Sequence, residues 1–254
     1  RRLILVGDVH GALDELKALL QKVDYDPSSG ADHLVLTGDM VSKGPKSGGV
    51  LDLMKKLSEA GVASCVRGNH DDRVVRAYER LHRASLEEEE KQVSEKAVAK
   101  TLTSGQAKFL ASCPLILRVQ GAGNQGGELL VVHAGIVPGV PLLKQNPELL
   151  MNMRTILSPK GAKGKGKPEY GVGKGSSTTK GRHWAEVWNE WEEKRKGVTV
   201  VYGHYAAKGL DIRKWTKGLD SNCVRGGRLS ALVVKKEKGE VVMDVVSVKC
   251  KEYV

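Results

Sequence analysis

Aromatic residues are scarce in this chain, with one Phe, four Trp and six Tyr among 254 residues. Nothing in that set resembles the row of rings on which single-strand nucleic-acid binders stack bases. Long apolar runs are missing too: no stretch of eighteen apolar residues occurs, which excludes a membrane-spanning helix within the chain. Cysteine is rare. Cys65, Cys113, Cys223 and Cys250 are scattered, with no Cys-Xaa-Xaa-Cys pair. That pattern argues against both a structural zinc site and a disulfide framework, and Cys65 and Cys113, in apolar surroundings, read as core thiols. No signal peptide is visible. The chain opens at Arg1, without Met and directly on a strand, so a membrane anchor or targeting segment, if any, is expected outside it. Acidic residues fall short of basic ones, 30 against 41, for a net charge of +11. Such an excess favours a polyanionic partner: nucleic acid, an anionic membrane surface or polyphosphate. The bland alternative is a basic surface that only aids solubility.

What is present reads as an α/β chain. With 254 residues, 40% of them hydrophobic, one large α/β domain spanning 1–254 can bury a proper core. Residues 3–7, 33–37 and 62–66 form short apolar runs, separated by helical patterns that carry Leu13, Leu16, Leu20 and Val23, then Val50, Leu53, Met54 and Leu57. Another helical pattern covers 73–83. This alternation predicts a parallel sheet with crossover helices, and ligands bind outside the carboxyl ends of such strands. Residues 84–112 read as charged helix, with Glu87 to Glu90 on a solvated face. Later strands are predicted at 115–119, 129–132, 198–202, 229–234 and 241–248, the last two as a hairpin turning at Lys238-Gly239. Many strands with few late helices suggest two packed sheets flanked by helices. Residues 160–182 hold six Lys, one Arg and one Glu among many glycines, without apolar periodicity, and are expected to form a mobile loop.

Five short motifs end apolar runs: Gly7-Asp8-Val9-His10-Gly11, Gly38-Asp39-Met40-Val41, Gly68-Asn69-His70-Asp71, Val131-Val132-His133-Ala134-Gly135 and Tyr202-Gly203-His204. Together they offer Asp8, His10, Asp39, Asn69, His133 and His204, a mixed oxygen and nitrogen set suited to two divalent transition metals. Two such ions polarise phosphoryl oxygens, generate a nucleophile near neutral pH and stabilise the leaving oxygen. A pair needs a bridging carboxylate, for which Asp39 is the candidate. Asp8 and His10 would complete one site, and Asn69, His133 and His204 the other. His70, beside a ligand, is placed to act as general acid, with Asp71 or Asp72 to orient it. Singly, each motif is weak; in this order they point to a two-metal phosphoesterase. His33 and His82 lack such context and read as ordinary residues. His183, beside Trp184, reads as structural, and Trp184, Trp188 and Trp191, at helical spacing, read as core.

The motif order resembles the phosphoprotein-phosphatase branch of the calcineurin-like metallophosphoesterases, across nearly the whole chain. The resemblance implies two mixed β-sheets packed as a sandwich flanked by helices. It also implies that an oxygen between the metals attacks phosphorus while His70 protonates the leaving group. The chain departs from protein Ser/Thr phosphatases at Gly38-Asp39-Met40-Val41-Ser42-Lys43-Gly44-Pro45. Ser42 stands where those enzymes carry the carboxylate that pairs with the catalytic histidine, and Lys43 stands where they carry a phosphate-binding Arg, keeping the charge without the bidentate fork. That ending resembles bacterial diadenosine tetraphosphatases and the ApaH-like phosphatases, as does the stretch from Gly218 to Leu232, with Ser221-Asn222 in place of the usual Thr-Gly. Arg154 matches the position of a phosphate-contacting Arg in relatives.

Within that branch, fungal zinc-dependent endopolyphosphatases are the resemblance that the lysine-rich segment favours. The expected cofactors are two divalent ions, Zn, Co, Mn or Fe, and the expected partner is a polyanionic phosphate substrate, foremost inorganic polyphosphate. Stable nucleic-acid binding is not expected. Alternatives are hydrolysis of a dinucleoside polyphosphate such as diadenosine tetraphosphate or of an RNA cap, a phosphoprotein Ser/Thr phosphatase, and a non-catalytic polyanion-binding module. The resemblance suggests the vacuole lumen, with the cytoplasm as the alternative.

Overall fold

The computed structural model describes residues 2–83, 93–157, 171–172 and 181–254. In chain order the first elements are β1 (Arg2–Val6), α1 (Leu13–Lys22), β2 (Asp32–Leu36), α2 (Ser47–Glu59), β3 (Ala63–Cys65), α3 (Asn69–His82), α4 (Val93–Thr101) and α5 (Ser104–Ser112). There follow β4 (Ile116–Val119), β5 (Glu128–Val132), α6 (Pro147–Asn152), β6 (Thr155–Leu157), β7 (Gly171–Val172), β8 (Arg182–His183) and α7 (Trp184–Arg195). The last are β9 (Val198–Tyr202), β10 (Asp211–Ile212), β11 (Thr216–Gly218), β12 (Arg228–Glu237) and β13 (Glu240–Lys249).

Two mixed five-stranded sheets form the frame, ordered β13-β12-β1-β2-β3 and β10-β11-β9-β5-β4. In the first, β1, β2 and β3 run parallel; in the second, β5, β9 and β11 do. The central strands β1, β2, β5 and β9 are near-continuous apolar runs because both faces are buried, and the period of two sends alternate residues to different cores. Ile4 and Val6, Leu34 and Leu36, and Ala231 and Val233 face the helices α1, α2, α3 and α5. Leu5, Val35 and Leu232 turn the other way and meet Leu129, Val131 and Val201 of the second sheet. The far face of that sheet packs Leu130, Val132, Val200 and Tyr202 against Trp184, Trp188 and Trp215. This is the sandwich expected from the resemblance. The hairpin β12–β13 turns at Lys238 and Gly239, both with positive φ.

Three expectations need correction. The four cysteines are not free thiols: Cys65 bonds Cys113 and Cys223 bonds Cys250. Their Cα atoms lie 5.6 and 5.2 Å apart, inside the disulfide range. Sequence separations of 48 and 27 give no spacing signal, because the pairing comes from where β3 meets the end of α5 and where the segment before β12 meets the end of β13. The basic segment 160–182 is not wholly loop, since β7 pairs β6, which also pairs β8, in a three-stranded sheet. The rest of that segment, like Glu87 to Glu90, lies outside the described residues. Trp184 and Trp188 are core, but Trp191 is only partly buried, with Arg195 over its ring.

Candidate metal centre

The parallel strands of both sheets end on one edge, and the chain turns sharply there. Asp8 and His10 follow β1, Asp39 follows β2, Asn69 and His70 open α3 after β3, His133 follows β5 and His204 follows β9. Three of these residues, His10, Asp39 and His204, have φ of 46°, 49° and 70°. Left-handed backbone is costly for residues with a Cβ and persists where the surroundings over-determine it, often at functional sites. Here the backbone supplies the restraint: His10 N donates to Asp39 O and Gly11 N to Met40 O, both at 2.8 Å. Glycine is required beside two of the carboxylates. A Cβ on Gly68 would meet Asp39 Oδ1 at 2.2 Å, and one on Gly203 would meet Asp8 Oδ1 at 1.9 Å.

The side chains converge with their acceptor atoms inward. Asp39 divides its oxygens, with Oδ2 3.5 Å from His10 Nε2 and Oδ1 3.4 Å from His133 Nε2. Asn69 Oδ1 lies 3.0 Å from both His133 Nε2 and His204 Nδ1. The other nitrogen of each imidazole faces a backbone carbonyl: His10 Nδ1 to Val41 O, His133 Nδ1 to Thr37 O and His204 Nε2 to Asn152 O, at 3.0, 2.9 and 3.2 Å. Those N–H groups donate to the carbonyls, and in the neutral ring this orientation would turn the lone pair of the other nitrogen inward, the arrangement that metal-binding histidines use. Two overlapping groups of donor atoms result, Asp8, Asp39 and His133 in one and His10, Asp39 and His70 in the other, each within 4.8 Å. The donor set therefore fits divalent cations.

Charge in this buried centre is strongly perturbed. Burial pushes the Asp8 carboxyl well up, and the neighbouring Asp220 adds to it; Asp220 is raised by burial too. Burial opposes ionisation of Asp39, yet His133 and His10 hold it well below the usual carboxylate range. Burial also opposes the charged form of His133, but Asp39 and Asp8 push it up to about 10. His10 goes the other way, down to about 3, through burial and the adjacent Lys43 and His70 against the pull of Asp39. His204 is lowered by burial, His133 and Arg154.

His70 does not pair with Asp71 or Asp72. Asp71 is fully buried and spends its oxygens on backbone amides, accepting from Met40 N at 2.9 Å, Val41 N at 3.3 Å and Gly68 N at 3.0 Å. It holds the Asp39 turn, and burial with the nearby Asp39 charge lifts its carboxyl to about 6. Asp72 pairs with Arg76 and Arg67. The residue that meets His70 is Glu95 of α4, whose Oε1 lies 2.8 Å from His70 Nδ1. That hydrogen bond outweighs burial and, with one from Ser94, holds the Glu95 carboxyl down at about 2.

Asp8, His10, Asp39, Asn69, His70 and His204 line a cavity of about 410 Å³. Lys43 and Arg154 both reach it, joined by Asp220, Asn222 and Arg225 from the segment before β12 and by Tyr205 after His204. Lys43 Nζ lies 2.8 Å from His10 Nε2, and the Arg154 guanidinium sits 5.5 Å over the Tyr205 ring. Sequence reasoning missed Glu95, Asp220, Tyr205 and Arg225. Asp220 lies just after a strand, as the other candidates do, but β11 reads Thr-Lys-Gly and gives no apolar run to mark it; Glu95 carries no local signal either. His183 is buried beside Asp211 and away from this cavity's lining.

Comparisons with known proteins agree with this arrangement. The family model for calcineurin-like phosphoesterases matches residues 1–220. The zinc-dependent endopolyphosphatase of Saccharomyces cerevisiae is 27% identical over 97% of this chain and 80% of its own length. The symmetrical bis(5'-nucleosyl)-tetraphosphatase of Klebsiella pneumoniae is 38% identical, over 53% of this chain and 43% of its own length, so the chain spans less than half of that relative. A crystal structure assigned as a diadenosine tetraphosphatase superposes with a TM-score of 0.75 at 30% identity, covering 98% of this chain and 94% of the other. The strand-end constellation, the two-sheet sandwich and these matches agree: the chain belongs to the calcineurin-like phosphoesterases and is a metallophosphoesterase hydrolase.

Proposed function

We propose that this chain hydrolyses phosphoanhydride bonds with two metal ions, and that inorganic polyphosphate is its substrate. The observation that carries the two-metal reading is the division of the Asp39 carboxylate, one oxygen toward His10 and the other toward His133. In this reading Asp8, His10 and Asp39 would hold one ion, and Asp39, Asn69, His133 and His204 would hold the other. When bound, the ions supply Lewis-acid polarisation of the phosphoryl oxygens and generate hydroxide from water near neutral pH.

The protein's own groups do the rest. Lys43, Arg154 and Arg225 line the cavity and bind the non-bridging oxygens of successive phosphates, offsetting charge that builds up at the reacting centre. His70 Nε2 gives a proton to the anhydride oxygen as its bond to phosphorus breaks. The electron pair of that bond stays on the leaving oxygen, and one water is consumed per cleavage.

Polyphosphate is favoured by the cationic rim and by the match to the endopolyphosphatase along nearly the whole chain. The basic segment 160–182 would steer a long polyanion toward the metals; neutralising Lys163, Lys165 and Lys167 should raise KM for long chains more than for short ones. A second reading, hydrolysis of a dinucleoside polyphosphate, is supported by the superposition on the structure assigned as a diadenosine tetraphosphatase and by Tyr205, the one Phe, Tyr or Trp side chain among the described residues that line the cavity. The two disulfides support an oxidising compartment, such as the vacuole lumen, over the cytoplasm. Among the described residues no helix is long and apolar enough to cross a membrane.

A substrate panel tests the proposal: long-chain polyphosphate, diadenosine tetraphosphate, capped RNA and a phosphopeptide, each with Zn, Co, Mn and Mg. The highest kcat/KM is expected on polyphosphate. A higher value on diadenosine tetraphosphate or capped RNA would move the assignment to the nucleotide bridge, and one on the phosphopeptide would refute it.

A further inference from the structure

His70 can act on a leaving group only if its ring is held, and the means usual in the resembling protein phosphatases is missing here. Ser42, at the position of their dyad carboxylate, is buried with φ of 74°; its N–H donates to Ser47 Oγ, and its own Oγ has no hydrogen-bond partner among the described residues. Asp71 and Asp72 are committed to backbone amides and to arginines. We propose that Glu95 of α4 is the positioning residue for His70, supplying from a separate helix the carboxylate that position 42 lacks.

The geometry carries this assignment. Glu95 Oε1 meets His70 Nδ1 at 2.8 Å, which leaves Nε2 as the nitrogen for the cavity that His70 lines. Glu95 is itself held: it is 5% exposed, its Oε2 accepts from Ser94 Oγ at 2.6 Å, and Arg73 lies 3.7 Å from Oε1. A carboxylate so restrained fixes both the rotation of the ring and the tautomer, since it can only accept the Nδ1 proton. During the reaction the Nε2–H bond breaks, the proton goes to the departing anhydride oxygen, and the imidazolium becomes neutral imidazole. Glu95 stays ionised throughout and accepts the Nδ1–H bond before and after. The backbone of His70 is fixed independently, because its N–H donates to Asp39 Oδ1 at 2.9 Å. Loss of Glu95 should therefore free the ring without moving the turn.

The inference rests on His70 acting as general acid, and a double-mutant cycle separates the two claims. Wild type, Glu95→Ala, His70→Ala and the double variant are assayed on long-chain polyphosphate and diadenosine tetraphosphate with zinc, alongside Glu95→Gln and Glu95→Asp. Melting temperature and bound zinc are measured for each. Glu95→Ala and Glu95→Gln are expected to lower kcat by at least about tenfold with KM and bound zinc unchanged. Glu95→Asp should recover part of the loss, and the double variant should be no slower than His70→Ala, because the two side chains act as a unit. Glu95→Ala at wild-type rate beside a crippled His70→Ala would overturn the positioning role alone. So would a Glu95 penalty that multiplies with that of His70→Ala, or one that appears as lost zinc. His70→Ala at wild-type rate would overturn the general-acid reading and this inference with it.

Discussion

At the floor of the cavity, Asp8, His10, Asp39, Asn69, His133 and His204 are all at most 8% exposed, and the rings and carboxylates are pinned by backbone groups. At the rim, Lys43 and Arg225 are exposed and Arg154 is only partly buried, leaning on Tyr205. The floor keeps its geometry by strained turns and by glycines that admit no Cβ; the rim keeps charge near the mouth on longer, more exposed side chains. A buried donor set tolerates little change, because every substitution leaves an unpaired group in a low-dielectric site. A solvated cation can be moved or replaced for a smaller loss. In the proposed reading, the floor fixes the chemistry and the rim selects the polyanion.

The sharpest break in that comparison is Asp39→Asn, which should abolish turnover and reduce bound metal, since the group between the two sites loses its charge. His70→Ala should lose about a hundredfold or more in kcat while keeping its metal. Metal analysis beside kinetics distinguishes them: equal metal loss in both variants would place His70 among the ligands, as its proximity to His10 and Asp39 allows. At the rim, Arg154→Ala should lower kcat/KM by at least about tenfold with metal content intact. Wild-type kinetics there would remove Arg154 from substrate binding.

The floor was legible in the sequence because each of its residues terminates an apolar strand, often next to glycine, so that strand order alone brings Asp8, Asp39, Asn69, His133 and His204 to one edge. The two-sheet sandwich followed from the same alternation together with the resemblance. Glu95 was illegible for the opposite reason: it sits in an ordinary charged helix and reaches His70 only because α4 packs on α3. Asp71 was misread because a carboxylate beside a histidine looks like its partner, whereas the first turn of α3 points it at the amides of Met40 and Gly68. The disulfides were hidden because their pairing depends on tertiary contacts and not on spacing.

The disulfides extend the comparison, since Cys65 precedes the Asn69 turn at the floor and Cys223 lines the cavity at the rim. Replacing either pair by serine should cost about 3–4 kcal/mol of unfolding free energy by the loop-closure argument, read by urea denaturation. Only loss of the Cys223–Cys250 bond should also raise KM severalfold, because it anchors the segment that carries Asp220, Asn222 and Arg225. Equal KM effects from both pairs would blur the distinction between floor and rim.

The smallest effect is expected far from the cavity. Arg2 holds Asp32 through Nε at 2.8 Å and Nη2 at 2.6 Å, and that hydrogen bond lowers the Asp32 carboxyl against the opposing cost of burial. A depressed carboxylate stabilises the fold above its ordinary range, and the contribution is lost as pH falls through the lowered value. Asp32→Asn should therefore cost about 1 kcal/mol near neutral pH, discounted for the partly exposed Arg2, and the gap to wild type should close in acid. A gap independent of pH would assign the loss to packing instead.

The most direct measurement of the central claim is a metal titration of the stripped protein, following polyphosphate hydrolysis as Zn(II) is added. If Asp39 is shared by two ions, activity should rise until two equivalents per chain are bound, and Asp39→Asn should never reach that plateau. Full activity at one equivalent, or activity that persists in excess chelator, would contradict the two-metal account.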